Sequence, residues 1–400
     1  MAEKQNIPEI RFEGFTDPWE QRKFSDLTDR VSIQSNDPNL PQVEYEDIIS
    51  GEGALNKDLN DKEGGKTGIK FYVGDVLYGK LRPYLMNWLY PQFNGVAVGD
   101  FWVLRATECD SSFLYRLVQT DGFQRLANLS SGSKMPRADW NLISQSFFAV
   151  PANHAEQKAI AKSLAELDSL ITLHQRKYDK LCTVKKSMLD KMFPKPGETE
   201  PEIRFEGFTD PWEQRKLGEV AHRVIRKNEG NQSDLPLTIS AQHGLVDQRD
   251  YFNNQVASRD MSGYYLLENG EFAYNKSTSG DSPWGAIKRL TKYEKGCLST
   301  LYICFGLDLG DPDFLVTYYE TNRWHGAVQM IAAEGARNHG LLNIAPDDFF
   351  ETVLTLPCST EEQKQIGCFF TQLNSLITLH QRKLELLRNI KKSLLDRMFV

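Results

Sequence analysis

Apolar residues recur at alternating steps of four and three along two long stretches of the chain. From about Glu156 to Met192 the positions are Ile160, Leu164, Leu167, Ile171, His174, Tyr178 and Leu181, then Val184 and Met188. From about Glu362 to Met398 they are Ile366, Phe370, Leu373, Ile377, His380, Leu384, Leu387, Ile390 and Leu394. This heptad spacing predicts two helices of roughly 37 residues, about 55 Å long at ~1.5 Å per residue, that cover each other along a coiled-coil seam.

The two stretches are copies in register, since 366 − 160 and 398 − 192 both equal 206. The joint after the first stretch, residues 193–198, contains two prolines and reaches only ~20 Å when extended. The chain that follows must therefore start near the far end of the first helix, which predicts an antiparallel pair. Around a pseudo-two-fold axis, His174 and His380 would meet near the middle as polar register residues, with a metal or pH role as the alternative.

A second repeat precedes each helix. Residues 8–23, PEIRFEGFTDPWEQRK, recur unchanged as residues 201–216, at an offset of 201 − 8 = 193. Within it, Asp17-Pro18-Trp19-Glu20 has the pattern of a helix start, with Asp as N-cap and Pro at the first helical position. The repeat is interpreted as a docking peptide that carries no chemistry of its own.

Between the repeats lie two variable segments, called here block one (residues 24–153) and block two (residues 217–359). Block one has a strand–turn–strand pattern over residues 69–78, a buried strand over Val96–Leu104 and a helix over Ser112–Asn128. Block two repeats this with a strand at Phe272–Tyr274, a strand at Leu298–Phe305 and a helix at Phe314–Trp324. The expected fold class is α+β: two globular mixed α/β domains separated by a long antiparallel two-helix coiled coil, pseudo-two-fold symmetric. The expected boundaries are 1–153, 154–196, 197–359 and 360–400.

Composition narrows the class of protein. Charged residues at 25% and hydrophobic residues at 40% are typical of a soluble globular protein, and a formal net charge of −7 argues against a generic polyanion binder. No apolar run suggests a signal peptide or a membrane span, and the six cysteines have no zinc-site spacing. A cytoplasmic location and the absence of a bound metal are therefore expected.

Catalytic signatures are missing from the sequence. There is no Asp/Asn-Pro-Pro-Tyr/Phe tetrapeptide of amino-methyltransferases, no dinucleotide-type GxGxxG and no HExxH. The Gly64-Gly65-Lys66-Thr67 stretch lacks the first glycine of a phosphate loop, because Asn60 stands there. These absences together favour a recognition subunit with no catalytic or cofactor-binding residues.

The order of the repeated motifs, with WEQRK and LITLHQRK each present twice around two dissimilar blocks, resembles the specificity subunit of type I restriction-modification systems. The resemblance covers essentially the whole chain. It implies that each block is a target recognition domain for one half of an asymmetric bipartite DNA site in a bacterial cytoplasm, with the helices as the spacer. It also implies partners: double-stranded DNA, two modification (methyltransferase) subunits, and restriction subunits that translocate DNA. S-adenosylmethionine, ATP and magnesium would then be held only by those partner subunits.

Contacts with DNA require donors to phosphate and to base edges, with small residues where the backbone approaches closely. In block one the candidates follow the Gly74-Asp75 turn or lie in a serine-rich loop: Lys80, Arg82, Ser131, Ser133, Lys134 and Arg137. In block two they occupy the matching places: Asn275, Lys276, Ser279, Lys288, Arg289, Arg337, Asn338 and His339. Asparagine could bond adenine, and arginine could bond guanine. Tyr78 and Tyr274 are expected in the core.

Two other functions stay open at this point. One is a coiled-coil scaffold whose blocks bind proteins without reading DNA. The other is a nuclease or methyltransferase that works alone through an unrecognised site. Co-purification with a methyltransferase and adenine methylation of a split site would separate the favoured function from both.

Overall fold

A computed structural model describes residues 7–59, 64–129, 135–240, 244–252, 257–258, 260–278, 282–332 and 340–400. Packing divides the chain into two compact units. The first unit comprises residues 1–177 and 380–400, and the second comprises residues 178–379. Because both long helices pass through this division, each unit contains one half of each helix. The boundaries of the units therefore fall within the helices, whereas the boundaries predicted from the sequence follow the repeats.

The first unit carries short strands and helices on the first half of one long helix. In chain order they are β1 (Glu20–Lys23), α1 (Phe24–Leu27), β2 (Thr28–Val31), β3 (Gln34–Ser35), β4 (Gln42–Val43), a 3-10 turn (Tyr45–Asp47), β5 (Ile48–Ile49), β6 (Ala54–Leu55), β7 (Gly68–Phe71), β8 (Val76–Gly79), a second 3-10 turn (Pro83–Leu85), β9 (Trp88–Leu89), β10 (Gly95–Ala97), β11 (Phe101–Ala106), α2 (Ser111–Leu117), α3 (Asp121–Ala127), α4 (Trp140–Gln145), β12 (Phe147–Val150) and α5 (His154–Lys191). One four-stranded sheet has the order β2-β11-β8-β9 and another the order β3-β7-β10-β4.

The second unit follows the same order with its own insertions. Its elements are β13 (Glu213–Lys216), α6 (Leu217–Val220), β14 (Ala221–Arg223), β15 (Leu237–Ser240), β16 (Gly244–Asp247), α7 (Gln248–Phe252), β17 (Tyr265–Glu268), β18 (Phe272–Asn275), β19 (Ala286–Arg289), β20 (Lys295–Leu298), β21 (Ile303–Leu307), α8 (Pro312–Glu320), α9 (His325–Ile331), α10 (Pro346–Phe350), β22 (Val353–Leu356) and α11 (Thr360–Met398). Its sheet β14-β21-β18-β19 matches β2-β11-β8-β9 of the first unit.

The structure confirms both long helices, and all but one of the predicted seam residues are buried or half-buried. In the first unit, Ile160 and Leu164 of α5 share a core cluster with Met398 of α11. Nearer the middle of the helices, His174 contacts His380. Residue numbers thus fall along α11 as they rise along α5, so the two half-helices of this unit are antiparallel.

One predicted seam position is wrong. Ile390 is exposed, and the seam passes instead through Lys391, whose side chain is only 12% exposed. The Lys391 ammonium lies 2.6 Å from a carboxylate oxygen of Asp168, which also accepts a hydrogen bond from the buried Arg116 at 2.5 Å. A lysine can hold a seam position when its aliphatic stem is covered and its charge is paired.

Two local predictions from block one also need correction. The strand predicted over Val96–Leu104 is two strands, β10 and β11, because Gly99 adopts a φ of 102° between them. The helix predicted over residues 112–128 is α2 and α3, because the Thr120 side chain caps the start of the second helix. The strand–turn–strand pattern predicted over residues 69–78 is confirmed as β7 and β8, which lie in different sheets.

The repeated peptide is extended where a helix start was predicted. Its residues 20–23 form β1, which pairs antiparallel with β12, and residues 213–216 form β13, which pairs with β22. Backbone pairing with a strand of the same unit thus outweighs the local Asp-Pro helix signal. The short helices α1 and α6 begin only after these strands.

Each copy of the peptide contacts a long helix through the same set of three side chains. Arg11 donates to the carboxylate of Glu156 at 2.7 and 2.9 Å, and the Trp19 indole donates to it at 3.2 Å. Both Trp19 and Glu156 are almost fully buried. The ion pair raises the pKa of the Arg11 guanidinium, so both charges are held in place.

The second unit repeats this arrangement. There Arg204 donates to Glu362 at 2.7 and 2.8 Å, and Trp212 donates to it at 3.3 Å. We call the two groups, Arg11–Trp19–Glu156 and Arg204–Trp212–Glu362, the anchor triads. Each anchor triad holds its peptide at the first turn of a long helix, α5 in the first unit and α11 in the second.

The same peptides also cap the ends of the long helices. Ile10 donates its backbone N–H to the carbonyl of Arg397 at 3.0 Å, near the end of α11. Ile203 donates to the carbonyl of Lys191 at 2.9 Å, at the end of α5. These bonds satisfy carbonyl groups that a helix terminus otherwise leaves without a partner. Within each unit, one peptide therefore joins the start of one long helix to the end of the other.

Substitution of Glu156 by Ala should lower the free energy of unfolding by about 3–5 kcal/mol, because Arg11 would be left buried without its counter-ion. Urea denaturation of the full chain measures this. Glu108→Ala is the matched control, because Glu108 pairs with Arg22 at the surface and exposed pairs contribute ~1 kcal/mol or less. Equal losses from the two variants would contradict the structural role of the anchor triad.

Protonation of His174 should destabilise the first unit. Its Nδ1 lies 2.8 Å from Nδ1 of His380, and burial together with the charges of His380, Lys383 and Lys177 lowers the pKa of His174. A histidine with a lowered pKa stabilises the fold above its unfolded pKa of ~6.5 and loses that contribution as the pH falls below it. His174→Leu should therefore shrink the drop in melting temperature between pH 7.5 and pH 5.5. His154→Ala, at an exposed position, should leave the drop unchanged; a drop equally large in His174→Leu would refute this assignment.

Candidate nucleic-acid interface

Three predicted cations of block one are brought together by two antiparallel segments that lie far apart in sequence. After β8, Arg82 donates its backbone N–H to Pro136 at 2.7 Å, and Ala138 donates to Lys80 at 2.8 Å. Leu81 and Arg137 face each other in the bridge between these bonds. We call segments 80–82 and 136–138 the block-one loop pair. It places Lys80, Arg82 and Arg137 on one small surface.

One carboxylate is shared by two of these cations. Asp100 lies 3.0 Å from a guanidinium nitrogen of Arg137 and 3.5 Å from the ammonium of Lys80. The Arg137 side chain remains 55% exposed. Arg82 is exposed, and its guanidinium has no hydrogen bond or ion pair to any residue in the described ranges. The group therefore carries an excess of positive charge in a position open to a polyanion.

Sequence reasoning missed two residues that support this surface. The hydroxyl of Tyr45 donates to the backbone carbonyl of Asp100 at 2.5 Å and accepts a hydrogen bond from the Leu81 N–H at 3.2 Å. Burial raises the pKa of Tyr45, which keeps the hydroxyl protonated and able to donate. The Gly99-Asp100 turn was a possible signal for Asp100, but the predicted continuous strand over this region concealed it.

Block two has the same backbone arrangement with different side chains. Thr278 donates its N–H to Gly340 at 2.7 Å, Leu342 donates to Lys276 at 3.0 Å, and Ser277 faces Leu341. We call segments 276–278 and 340–342 the block-two loop pair. In this pattern of backbone bonds, Thr278 is equivalent to Arg82 of block one, and Leu341 is equivalent to Arg137.

The first two candidates of block two are partly engaged within their own unit. The side-chain oxygen of Asn275 accepts the Ser277 N–H at 3.0 Å, so its amide group remains the side available to a ligand. The ammonium of Lys276 donates to the carbonyl of Ile344 at 3.2 Å, and burial lowers its pKa.

Arg289, one of the two candidates on β19, forms hydrogen bonds within its own unit. Arg289 donates to Asp313 at 2.9 Å and to the carbonyl of Gly270 at 3.2 Å. Burial lowers the pKa of Lys288, an effect that the nearby Glu320 opposes. These contacts join β19 to α8 and the preceding turn. A role of Lys288 and Arg289 in DNA contact stays a prediction.

The remaining candidates lie outside the described residues: Ser131, Ser133, Lys134, Ser279, Arg337, Asn338 and His339. Two other expectations are confirmed. Tyr78 and Tyr274 are core residues, each almost completely buried. Their neighbours on β8 and β18 lead directly into the loop pairs, so the core fixes where each loop pair begins.

Two searches of the described part of the chain give negative findings. No group of three or more His, Cys, Asp or Glu side chains there could hold a metal ion. No helix there is long and apolar enough to cross a membrane.

Comparisons with known proteins show which proteins this chain resembles. No family model matches the sequence. The type I restriction enzyme EcoDI specificity subunit of Escherichia coli is 26% identical over 153 residues, which are 36% of this chain and 34% of that protein. The match thus spans about a third of the length of this curated relative.

A solved structure extends the similarity to the whole chain. The S subunit of a type I restriction-modification system from M. genitalium aligns with a TM-score of 0.57 at 14% identity, covering 98% of this chain and 99% of that one. The fold is therefore that of a restriction-modification S subunit. The local sequence match, over about a third of each chain, is to a specificity subunit of such a system.

Arg82→Asn and Arg289→Ala should separate a ligand-facing arginine from a structural one. Asparagine tolerates the left-handed backbone of Arg82, so stability should change by less than ~0.5 kcal/mol while duplex DNA binding weakens and its salt slope falls by about one. Arg289→Ala should cost about 1.5–3 kcal/mol of stability with the salt slope unchanged. Urea denaturation and salt titrations of binding measure both. A reduced slope in Arg289→Ala alone would reverse the assignment.

Proposed function

We propose that this chain is the DNA-specificity subunit of a type I restriction-modification complex and that it has no catalytic activity of its own. Block one would recognise one half of an asymmetric bipartite target, and block two would recognise the other half. The long helices would set the spacing between the halves. The chain would work in the bacterial cytoplasm with double-stranded DNA, two methyltransferase subunits and restriction subunits.

The observation that carries this proposal is a repeated framework with unlike contact residues. Both units have an anchor triad, a matching four-stranded sheet and a loop pair with the same backbone bonds. At equivalent places in the loop pairs, however, the side chains are Arg82 and Thr278, and Arg137 and Leu341. Base recognition depends on side-chain donors and acceptors, so two such surfaces would recognise two different half-sites.

The helices offer matched surfaces for two identical partners. Leu170 and Leu173 are exposed on the half of α5 that belongs to the first unit. Leu376 and Leu379, their equivalents at the offset of 206, are exposed on the half of α11 that belongs to the second unit. Exposed leucines at equal places on two copies of one motif support one methyltransferase subunit per copy. S-adenosylmethionine, ATP and magnesium would be bound by the partner subunits.

The exposed leucines also support the second candidate function, a coiled-coil scaffold that binds proteins without reading DNA. The two functions differ in what happens to DNA. A specificity subunit, expressed with its methyltransferase subunits, directs adenine methylation to one split sequence. If the chain is only a scaffold, the sequence that is methylated does not depend on which blocks the chain carries.

Exchange of block one alone should change one half of the methylated site. The experiment replaces residues 24–153 with the corresponding block of another specificity subunit, expresses the chain with its methyltransferase subunits, and maps methylated adenines by long-read sequencing. Exchange of residues 217–359 is the matched control and should change only the other half. A change in both halves, or in neither, from either exchange would contradict the assignment of one half-site to each block.

A further inference from the structure

A five-residue turn beside the block-one loop pair has an uncommon backbone. Arg82 and Met86 adopt left-handed conformations, with φ of 49° and 53°. Between them, Pro83–Leu85 form a single 3-10 turn. Among the described residues, the only other non-glycine residue with positive φ is Asn231. Such conformations are unfavourable for arginine and methionine, and they persist only where surrounding structure enforces them.

Hydrogen bonds hold this turn on both sides. Within it, Leu85 donates to the carbonyl of Arg82 and Met86 donates to that of Pro83, both at 2.8 Å. The turn is also tied to a neighbouring loop, because Gly51 donates to the Met86 carbonyl at 3.0 Å and the Ser50 hydroxyl donates to Leu85. Pro83, the first residue of the 3-10 turn, is buried. The turn is therefore a rigid projection of the first unit.

The residues that this projection presents are apolar. Tyr84 is 53% exposed, Leu85 is 38% exposed and Met86 is 41% exposed. Arg82 begins the same turn, and Arg137 faces Leu81, the residue before it. An apolar tip bordered by exposed cations fits a polyanion with an apolar interior. Double-stranded DNA has this character, with phosphates outside and stacked bases inside.

We propose that Tyr84, Leu85 and Met86 form an apolar wedge that enters a groove of the DNA and opens one base step within the half-site bound by block one. The inference rests on the proposed DNA-specificity function. The positive charges of Arg82 and Arg137 border the opened step and offset the loss of stacking. Apolar side chains of this kind, leucine and methionine among them, open base steps in DNA-bending proteins.

The size of the tip favours DNA over a protein partner. Three side chains are far fewer than the ~20–30 residues that each side of a standard protein interface contributes. Rigidity also matters, because a flexible tip would fold back when it met a stacked duplex. The strained and doubly tied backbone keeps the apolar side chains at the surface before the DNA arrives.

The test compares Leu85→Ser/Met86→Asn with Val73→Ser in the full chain, co-purified with its methyltransferase subunits. Val73 is an apolar residue on another turn of the same unit and is 56% exposed, more than Leu85 or Met86. The probe is a duplex that contains the split site found by methylation mapping. The double variant should bind about tenfold more weakly or worse, with an unchanged salt slope because no phosphate contact is lost. Val73→Ser should bind as the wild type does, and both variants should melt at the wild-type temperature.

A second measurement detects the opened step itself. With 2-aminopurine placed at successive positions of the block-one half-site, the wild-type complex should raise the fluorescence at one step and the double variant should not. A mismatch at that step should restore most of the variant's affinity, because opening it costs less.

The outcomes separate the two proposals. If the wild-type complex binds no split site, the proposed function fails and the wedge fails with it. If the wild type binds the site and the double variant binds equally well, only the wedge is overturned. Loss of the methyltransferase subunits from the double variant would also overturn it, because the tip would then be a protein contact.

Discussion

The structure depends on a buried carboxylate at the first turn of each long helix. Glu156 and Glu362 are almost fully buried, and each is compensated by an arginine and a tryptophan from the same short peptide. A buried charge is tolerated only with a partner of good geometry, so the peptide cannot leave without a large penalty. The peptide's next residues form the strand that pairs with the end of the block. This single interaction therefore joins peptide, block and helix in each unit.

Such an anchor explains how two unlike blocks can occupy equivalent places. The anchor contacts are repeated in both units, whereas Arg82, Arg137, Thr278 and Leu341 lie on loop pairs that the anchor does not use. Side chains on the loop pairs can then change without loss of the framework. A recognition surface that varies on a fixed support is what a protein needs when its targets change and its partners do not.

Predictions from the sequence are correct where repeats and periodicity determine the local structure. They are wrong where contacts between residues distant in sequence determine it. Heptad spacing predicted both helices, and the antiparallel order of the two repeats predicted the contact between His174 and His380. It misplaced Ile390, because the pairing of Lys391 with Asp168 depends on charges outside the pattern. The Asp17-Pro18 signal predicted a helix, but pairing of β1 with β12 gave a strand.

The candidate cations were predicted one by one, because only the bonds between residues 80–82 and 136–138 bring Lys80, Arg82 and Arg137 together. The strained turn at Arg82 and Met86 has no sequence signature beyond Pro83.

In the proposed function, the long helices set the gap between the two half-sites. The most direct test of this role deletes seven residues from the middle of both helices, which preserves the heptad pattern and shortens them by about 10 Å. Long-read mapping of adenine methylation then measures the gap between the half-sites. The account predicts that the same two half-sites are methylated about three base pairs closer together, at ~3.4 Å per pair. An unchanged gap with methylation retained, or altered half-site sequences, would contradict it.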